Sequence, residues 1–244
     1  VHEVLVCRAL LARAAGVMDP AMGARAALTR ANSDTGGAGV VEHAETTGAA
    51  VTEVAESVFA RVSYRDNPDG VLGVARAFDT GLDGLDLAGE ADPLVLVVAE
   101  VEKPGNLGTM LRSASAAGAS AVVVADPVTD VFNPNVVRSS QGALFGVPVA
   151  VGETAAVVVW LRRHGLRIYA AGPEGTRPYW RLPLAGPSAL VVGSEQRGLP
   201  PEWFDAADEQ VVIPMPGSGG VDSLNAAAAA AVLLFDAVRQ RADG

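Results

Sequence analysis

The sequence predicts an α/β protein in two parts: a small α/β domain, then a larger domain built on a mostly parallel sheet. Three observations carry this reading. From Pro93 onward, short apolar stretches alternate with helical segments, the order that builds a parallel sheet covered on both faces. Leu94–Ala99 is wholly apolar and half of it is Val, as expected of a central strand. Residues 81–92 are Gly-rich and acidic with no core-forming pattern, which predicts a linker between residues 1–80 and 93–244.

Taken in order, residues 1–15 place apolar side chains at 1, 4, 5, 6, 10, 11 and 15, close to the helical period, and are expected to form an amphipathic helix. Residues 16–30 and 48–61 also read as helical, the second continuing a helix begun near Thr46. Between them, 32–39 is polar and Gly-rich, a loop. Asn67-Pro68-Asp69-Gly70 is a strong turn signal, so 71–78 reads as a strand. In the larger part, strands are expected at 94–99, 121–125, 147–151, 167–171, 189–192 and 211–213, and helices at 107–117, 134–141, 154–164 and from Ala226 to about 241. The Ala run 226–231 fits simple helix preference, or a close helix–helix contact across a dimer.

Composition removes several classes. Half of the 244 residues are hydrophobic, so the chain is globular, yet no apolar run approaches the roughly 20 residues that span a bilayer. No signal-peptide pattern is visible, and the first residues are already patterned without an initiator Met, so the natural N-terminus is expected to lie upstream. Cys7 is alone, and His2, His43 and His164 are scattered. No disulfide or zinc site is expected, and a reducing cytoplasm fits. The net charge of −10 stands against nucleic-acid binding, which usually shows a basic balance. Residues 1–92 carry 7 basic against 14 acidic side chains, and 93–244 carry 11 against 14. An RNA partner therefore requires the basic residues to gather on one face, around Arg112 and Arg138 with Arg61, Arg65 and Arg76.

Three constellations carry chemistry. Asn106-Leu107-Gly108-Thr109-Met110-Leu111-Arg112 follows the first strand of the larger part. Gly105 and Gly108 suit a tight strand-to-helix turn, Asn106 suits a helix cap, and the helix start suits an anion. Gly193-Ser194-Glu195-Gln196-Arg197-Gly198 follows a strand, with glycines that let a ligand approach the backbone and a carboxylate that accepts hydrogen bonds. Ile213-Pro214-Met215, with Ser223-Leu224-Asn225 before the last helix, offers apolar walls for a flat heterocycle and capping groups. Each alone is matched by an ordinary turn or capped helix, and none has the dinucleotide Gly-x-Gly-x-x-Gly spacing.

Together and in this order, Asn-x-Gly-x-x-x-Arg, Gly-x-Glu-x-x-Gly and Ile-Pro-Met with a following Ser-Leu-Asn resemble the three motifs of the SpoU/TrmH branch of the SPOUT RNA methyltransferases, over about residues 93–241. Residues 67–72 resemble the Pro-x-Gly-Val turn that ends the L30e-like substrate-binding domain of ribosomal RNA members. The resemblance implies a C-terminal α/β sheet with a deep trefoil knot, preceded by an L30e-like domain. It implies S-adenosylmethionine bound by the loops at 193–198, 213–217 and 223–225, a homodimer, and methylation of a ribose 2′-oxygen in structured RNA, most readily 23S ribosomal RNA. Some members of this two-domain type protect antibiotic producers.

By the same resemblance Gly193, Ser194, Glu195, Gly198, Ile213, Met215, Ser223 and Leu224 hold the cofactor, while Arg112, Asn106, Glu195 and Asn225 form the catalytic set. Arg112 and Arg138 are the expected RNA contacts, Arg138 standing in a stretch like the family's Arg-x-Ser-x-Gly-Ala. A guanidinium stays protonated, so Arg112 is expected to orient phosphate and stabilise alkoxide charge, leaving the proton acceptor unassigned. One departure is that Ala226-Ala227 follow Asn225 where the family often has Val-Ser. The competing readings are a non-catalytic RNA-binding or assembly protein on the same fold, and a nucleotide-cofactor oxidoreductase, which lacks its fingerprint.

Overall fold

The computed structural model describes residues 3–14, 37–217 and 223–242. It divides into two compact units after Phe78.

In the first unit, β1 (Glu3–Val6) pairs in parallel with β2 (Ala50–Glu53) and antiparallel with β3 (Val71–Val74). Helices α1 (Arg8–Ala14), α2 (Gly37–Thr46) and α3 (Glu56–Val62) complete it. Two helical expectations are corrected here. Residues 3–6 are a strand because Val4 and Val6, two apart, are buried against Val41 and Ala44, and a period of two overrides a helical pattern this short. Residues 50–53 are also a strand. Helix α2 stops at Thr46 because Gly48 takes φ +80° and the Ala49 amide reaches back to Ala44 O at 2.9 Å, a C-terminal cap built on a left-handed glycine. The expected loop at 32–39 overlaps the start of α2, and the helix expected at 16–30 lies outside the described residues.

The second unit is organised on β4 (Leu94–Ala99), every residue of which is buried. Leu94, Leu96 and Val98 enter one apolar cluster, whereas Val95, Val97 and Ala99 enter the other, as the two-residue period of a doubly covered strand requires. Around it stand β5 (Ala121–Ala125), β6 (Val149–Gly152), β7 (Arg167–Ala171), β8 (Arg177–Pro178), β9 (Ser188–Val192) and β10 (Glu209–Val212). The order is β6-β5-β4-β9-β7-β10-β8, and every pair is parallel. Thus β9 enters late in the chain to sit between β4 and β7. Helices α4 (Pro104–Ala116), α5 (Pro134–Ser140) and α8 (Ala226–Ala242) contribute to the first cluster. Helices α6 (Thr154–Arg163) and α7 (Pro201–Ala206) contribute to the second.

Residues 81–92 are not a free linker. Leu85 and Leu87 are buried in the second cluster, and the Val151 amide donates to Thr80 O at 2.7 Å. The acidic surface of this stretch masks an apolar Leu pair spaced for one face. At the other end of the unit, the half-buried Arg241 guanidinium donates to Leu184 O at 3.0 Å, Asp92 O at 2.5 Å and Gly186 O at 2.9 Å. It thereby fastens the last helix to the entrance of β4.

Candidate active site

Helix α4 begins three residues before the expected start, at Pro104 with Lys103 as its N-cap. Asn106 therefore lies in the first turn and does not cap, and Arg112 lies in the third. Gly108 is not a turn residue either. A Cβ there would stand 1.9 Å from Ser139 Oγ, 2.7 Å from Val136 O and 2.8 Å from Ser140 N, so this glycine lets α5 cross α4 with backbones in near contact. Arg112 is one turn beyond Gly108 on the same face, and Arg138 stands on the crossing stretch of α5. Both are exposed and neither has an ion pair or side-chain hydrogen bond among the described residues. Lys103, Arg162, Arg167, Arg177, Arg197 and Arg239 all meet carboxylates. These pairs join six cations to five carboxylates and so leave the acidic excess in place; what marks the α4–α5 crossing is that its Arg112 and Arg138 meet no carboxylate among the described residues.

Strands β7, β9 and β10 are neighbours, and the loops leaving their C-terminal ends, with the start of α8, enclose a cleft of about 530 Å³. Gly193, Ser194, Glu195, Gly198, Ile213, Met215, Ser223 and Leu224 all line it. Ser194 and Gly198 exchange backbone hydrogen bonds of 3.1 and 3.0 Å, and Gly198 holds φ +69°. A Cβ on Gly193 would meet Gly198 O at 2.2 Å. The loop is therefore a tight return onto the end of β9, presenting its backbone to the cleft. Glu174, Phe204 and Asp205 complete the wall and were not anticipated. They come from the loop after β7 and from α7, a short helix hidden by its Pro-Pro start.

At the edge of this cleft the three motifs meet. Asn225 Nδ2 donates to Glu195 Oε1 and, at 3.2 Å, to Asn106 Oδ1. Its Oδ1 accepts from the amides of Ala227 at 3.0 Å and Ala228 at 3.2 Å, capping α8. The second carboxylate oxygen of Glu195 is taken by Lys103 Nζ. That contact, together with Asn106 and Asn225, holds the Glu195 carboxyl below the usual carboxylate range against the opposing effect of burial. Lys103 is thus part of the site although sequence reasoning passed over it; its place beside Pro104 before a motif asparagine was the available signal. Arg197, on the Glu195 loop, reaches Glu102 at 3.6 Å, a second link between the same two loops. Arg112 and Arg138 take no part in this network. Among the described residues no group of His, Cys, Asp and Glu is arranged to hold a metal ion, and no helix is long and apolar enough to cross a membrane.

This fold and this meeting of three strand-end loops define the class: residues 93–235 match the SpoU rRNA Methylase family, and the chain belongs to it. Among sequence relatives it is similar to the 23S rRNA (guanosine(2553)-2′-O)-methyltransferase RlmP of Bacillus subtilis, 38% identical over 141 residues, 58% of this chain and 56% of the relative. The 23S rRNA (uridine(2479)-2′-O)-methyltransferase of Streptomyces viridochromogenes is 41% identical over 147 residues, 58% of this chain and 50% of its own length. The chain thus spans about half the length of these curated relatives. Among solved structures it resembles the SpoU methyltransferase AviRb from Streptomyces viridochromogenes in complex with AdoMet. There the TM-score is 0.77 at 29% identity, covering 100% of this chain and 84% of that one.

Proposed function

We propose that the protein is an S-adenosylmethionine-dependent RNA 2′-O-ribose methyltransferase acting on 23S ribosomal RNA. The observation that carries this reading is the convergence of Asn106, Glu195 and Asn225 at the edge of a cleft lined by all eight residues expected to hold the methyl donor. The cleft suits that ligand. Its volume falls within the roughly 300–1,000 Å³ usual for small-molecule sites. Ile213, Met215 and Leu224 offer apolar walls to a purine, the tight loop at Gly193 and Gly198 offers backbone groups, and Glu174 and Asp205 favour a cation. When bound, S-adenosylmethionine supplies an electrophilic methyl group on a sulfonium centre.

The chain's own residues do the rest. Glu195 has both oxygens engaged, so it anchors loops and is unsuited to accept a proton. Arg112, protonated and unpaired, orients an RNA phosphate and stabilises negative charge developing on the ribose 2′-oxygen. Arg138, on the helix crossing α4, extends the same cationic face along the RNA backbone. The first unit supplies further RNA contacts as an L30e-like domain. The three loops close a trefoil knot, and two copies pair as a homodimer. The ribosomal substrate places the work in the cytoplasm, and protection of a producer's ribosome from an antibiotic is its proposed outcome.

Calorimetric titration with S-adenosylmethionine is expected to show binding; its absence sinks the reading. With 23S RNA and labelled methyl donor, Arg112→Ala is expected to lose about 100-fold or more in transfer rate while binding the donor normally. Equal rates in both proteins would remove Arg112 from the chemistry.

A further inference from the structure

Lys103 is the only Lys among the 18 basic residues; elsewhere the chain uses Arg. It is placed where a cation is electrostatically unwelcome, at the N-cap of the 13-residue helix α4, and it makes no capping bond to that helix. Its ammonium instead meets Glu195 Oε2. Glu195 therefore touches the capping residues of two helices, Lys103 of α4 and Asn225 of α8, where helix polarity favours an anion.

We propose that Lys103 is a positioning residue of the methyl-donor site: its ammonium holds the Glu195 carboxylate in one orientation, and Glu195 in turn fixes the Asn225 amide that closes the start of α8 against the cleft. The proposal rests on the methyltransferase reading. The chain of contacts gives each member one orientation. Asn225 turns its NH₂ to Glu195 and Asn106 because its carbonyl oxygen is spent on Ala227 and Ala228. A protonated Glu195 would lose the Lys103 attraction and could present its own hydrogen to Asn225, setting donor against donor. Leu224 and Ser223, which line the cleft immediately before Asn225, would then lose their anchor.

The Glu195 carboxyl is held below its ordinary value, with Lys103 the leading cause. The closed arrangement is complete above the ordinary carboxylate range and is lost as pH falls through the lowered value. Removing Lys103 lets that value rise, so the loss moves to higher pH. The charged groups that line the same pockets as Glu195 are Lys103 and Glu102 at the α4 entrance, Arg197 on its own loop, which Glu102 engages, and Glu174 and Asp205 across the cleft. Among the described residues no charged group but Lys103 bonds to it.

The test is calorimetric affinity for S-adenosylmethionine across about pH 4 to 8, the span that brackets carboxylate titration. Lys103→Met is expected to weaken binding about two- to fivefold at neutral pH, the scale of one exposed charge pair, and to move the acid limb to higher pH. Lys103→Arg, which keeps the charge, restores the acid limb. Glu195→Gln removes the part of the limb that depends on Lys103, leaving the part that Glu174 and Asp205 contribute, and Lys103→Met adds nothing in that background. Unchanged affinity in Lys103→Met at every pH overturns the proposal, as does an equal loss in the Glu195→Gln background. Should Lys103→Met not fold, an acid limb left unchanged by Glu195→Gln overturns it. Failure of the unaltered protein to bind the donor would refute the methyltransferase reading itself, a different result from intact binding that ignores Lys103.

Discussion

Replacing Gly108 by Ala tests whether the first motif's glycine serves helix packing. The new methyl would lie 1.9 Å from Ser139 Oγ, 2.7 Å from Val136 O and 2.8 Å from Ser140 N. The first neighbour is a side-chain hydroxyl, but the other two are backbone atoms of α5 and cannot turn aside. Carbon normally approaches such atoms no closer than about 3.5 Å, so the crossing must open by most of an ångström. Overpacking of this kind costs about 1–3 kcal/mol. Two backbone obstacles place Gly108→Ala near the upper end, about 3 kcal/mol, offset slightly by the better helix preference of Ala. For a protein this size that lowers Tm by about 6–12 °C. All three Trp residues, Trp160, Trp180 and Trp203, lie in the second unit, so intrinsic fluorescence during melting reports the relevant part. The double variant Gly108→Ala/Ser139→Ala removes only the hydroxyl clash and is expected to recover little. Full recovery in the double variant, or a Tm within about 2 °C of the unaltered protein, would refute the backbone-contact argument.

Gly193→Ala places a methyl 2.2 Å from Gly198 O and is expected to abolish donor binding in calorimetry while the second unit still melts cooperatively. Trp203 is fully buried and its indole N–H has no partner among the described residues, so Trp203→Phe gives up no hydrogen bond among them. Its loss in urea denaturation is expected to stay below the roughly 3–5 kcal/mol of an aromatic-to-Ala truncation. Burial works against ionisation of Asp208, yet Arg162 at 2.6 Å and the Ile168 amide at 2.7 Å outweigh it and hold the carboxyl below its usual range. The stability it adds is present at neutral pH and lost as pH falls through that lowered value. The gap in Tm between the unaltered protein and Asp208→Asn is therefore expected to narrow on acidification; a constant gap would contradict the assignment.

The larger unit was legible in the sequence because its strands are short, apolar and separated by periodic helices. Leu94–Ala99, Ala121–Ala125 and Arg167–Ala171 are predicted and observed with the same bounds. The first unit was less legible. Val4-Leu5-Val6 and Val51-Thr52 are too short for either period to dominate, and their state is decided by pairing of β1 with β2, across some 45 intervening residues. The cleft was readable as three loops, since Gly, Pro and capping residues advertise strand ends. What joins the loops was hidden. Lys103 to Glu195 spans 92 positions and Asn106 to Asn225 spans 119, and no local pattern encodes either pairing. Gly108 misled for a related reason, because its neighbour is another helix.

The late entry of β9 has a consequence for how the molecule is made. Strand β4 appears at residue 94, but one of its edges stays bare until residues 188–192 have been synthesised, and Arg241 fastens its entrance later still. During translation nearly ninety residues emerge while a strand of Leu and Val waits with open hydrogen-bonding groups, the condition that invites misplaced pairing and recruits chaperones. The cleft needs β9, β10 and the start of α8 together, so it is complete only once α8 has been made. A nascent chain cut short just before Asn225, the cap of α8, would hold the sheet but not the side chain that joins Glu195 to Asn106.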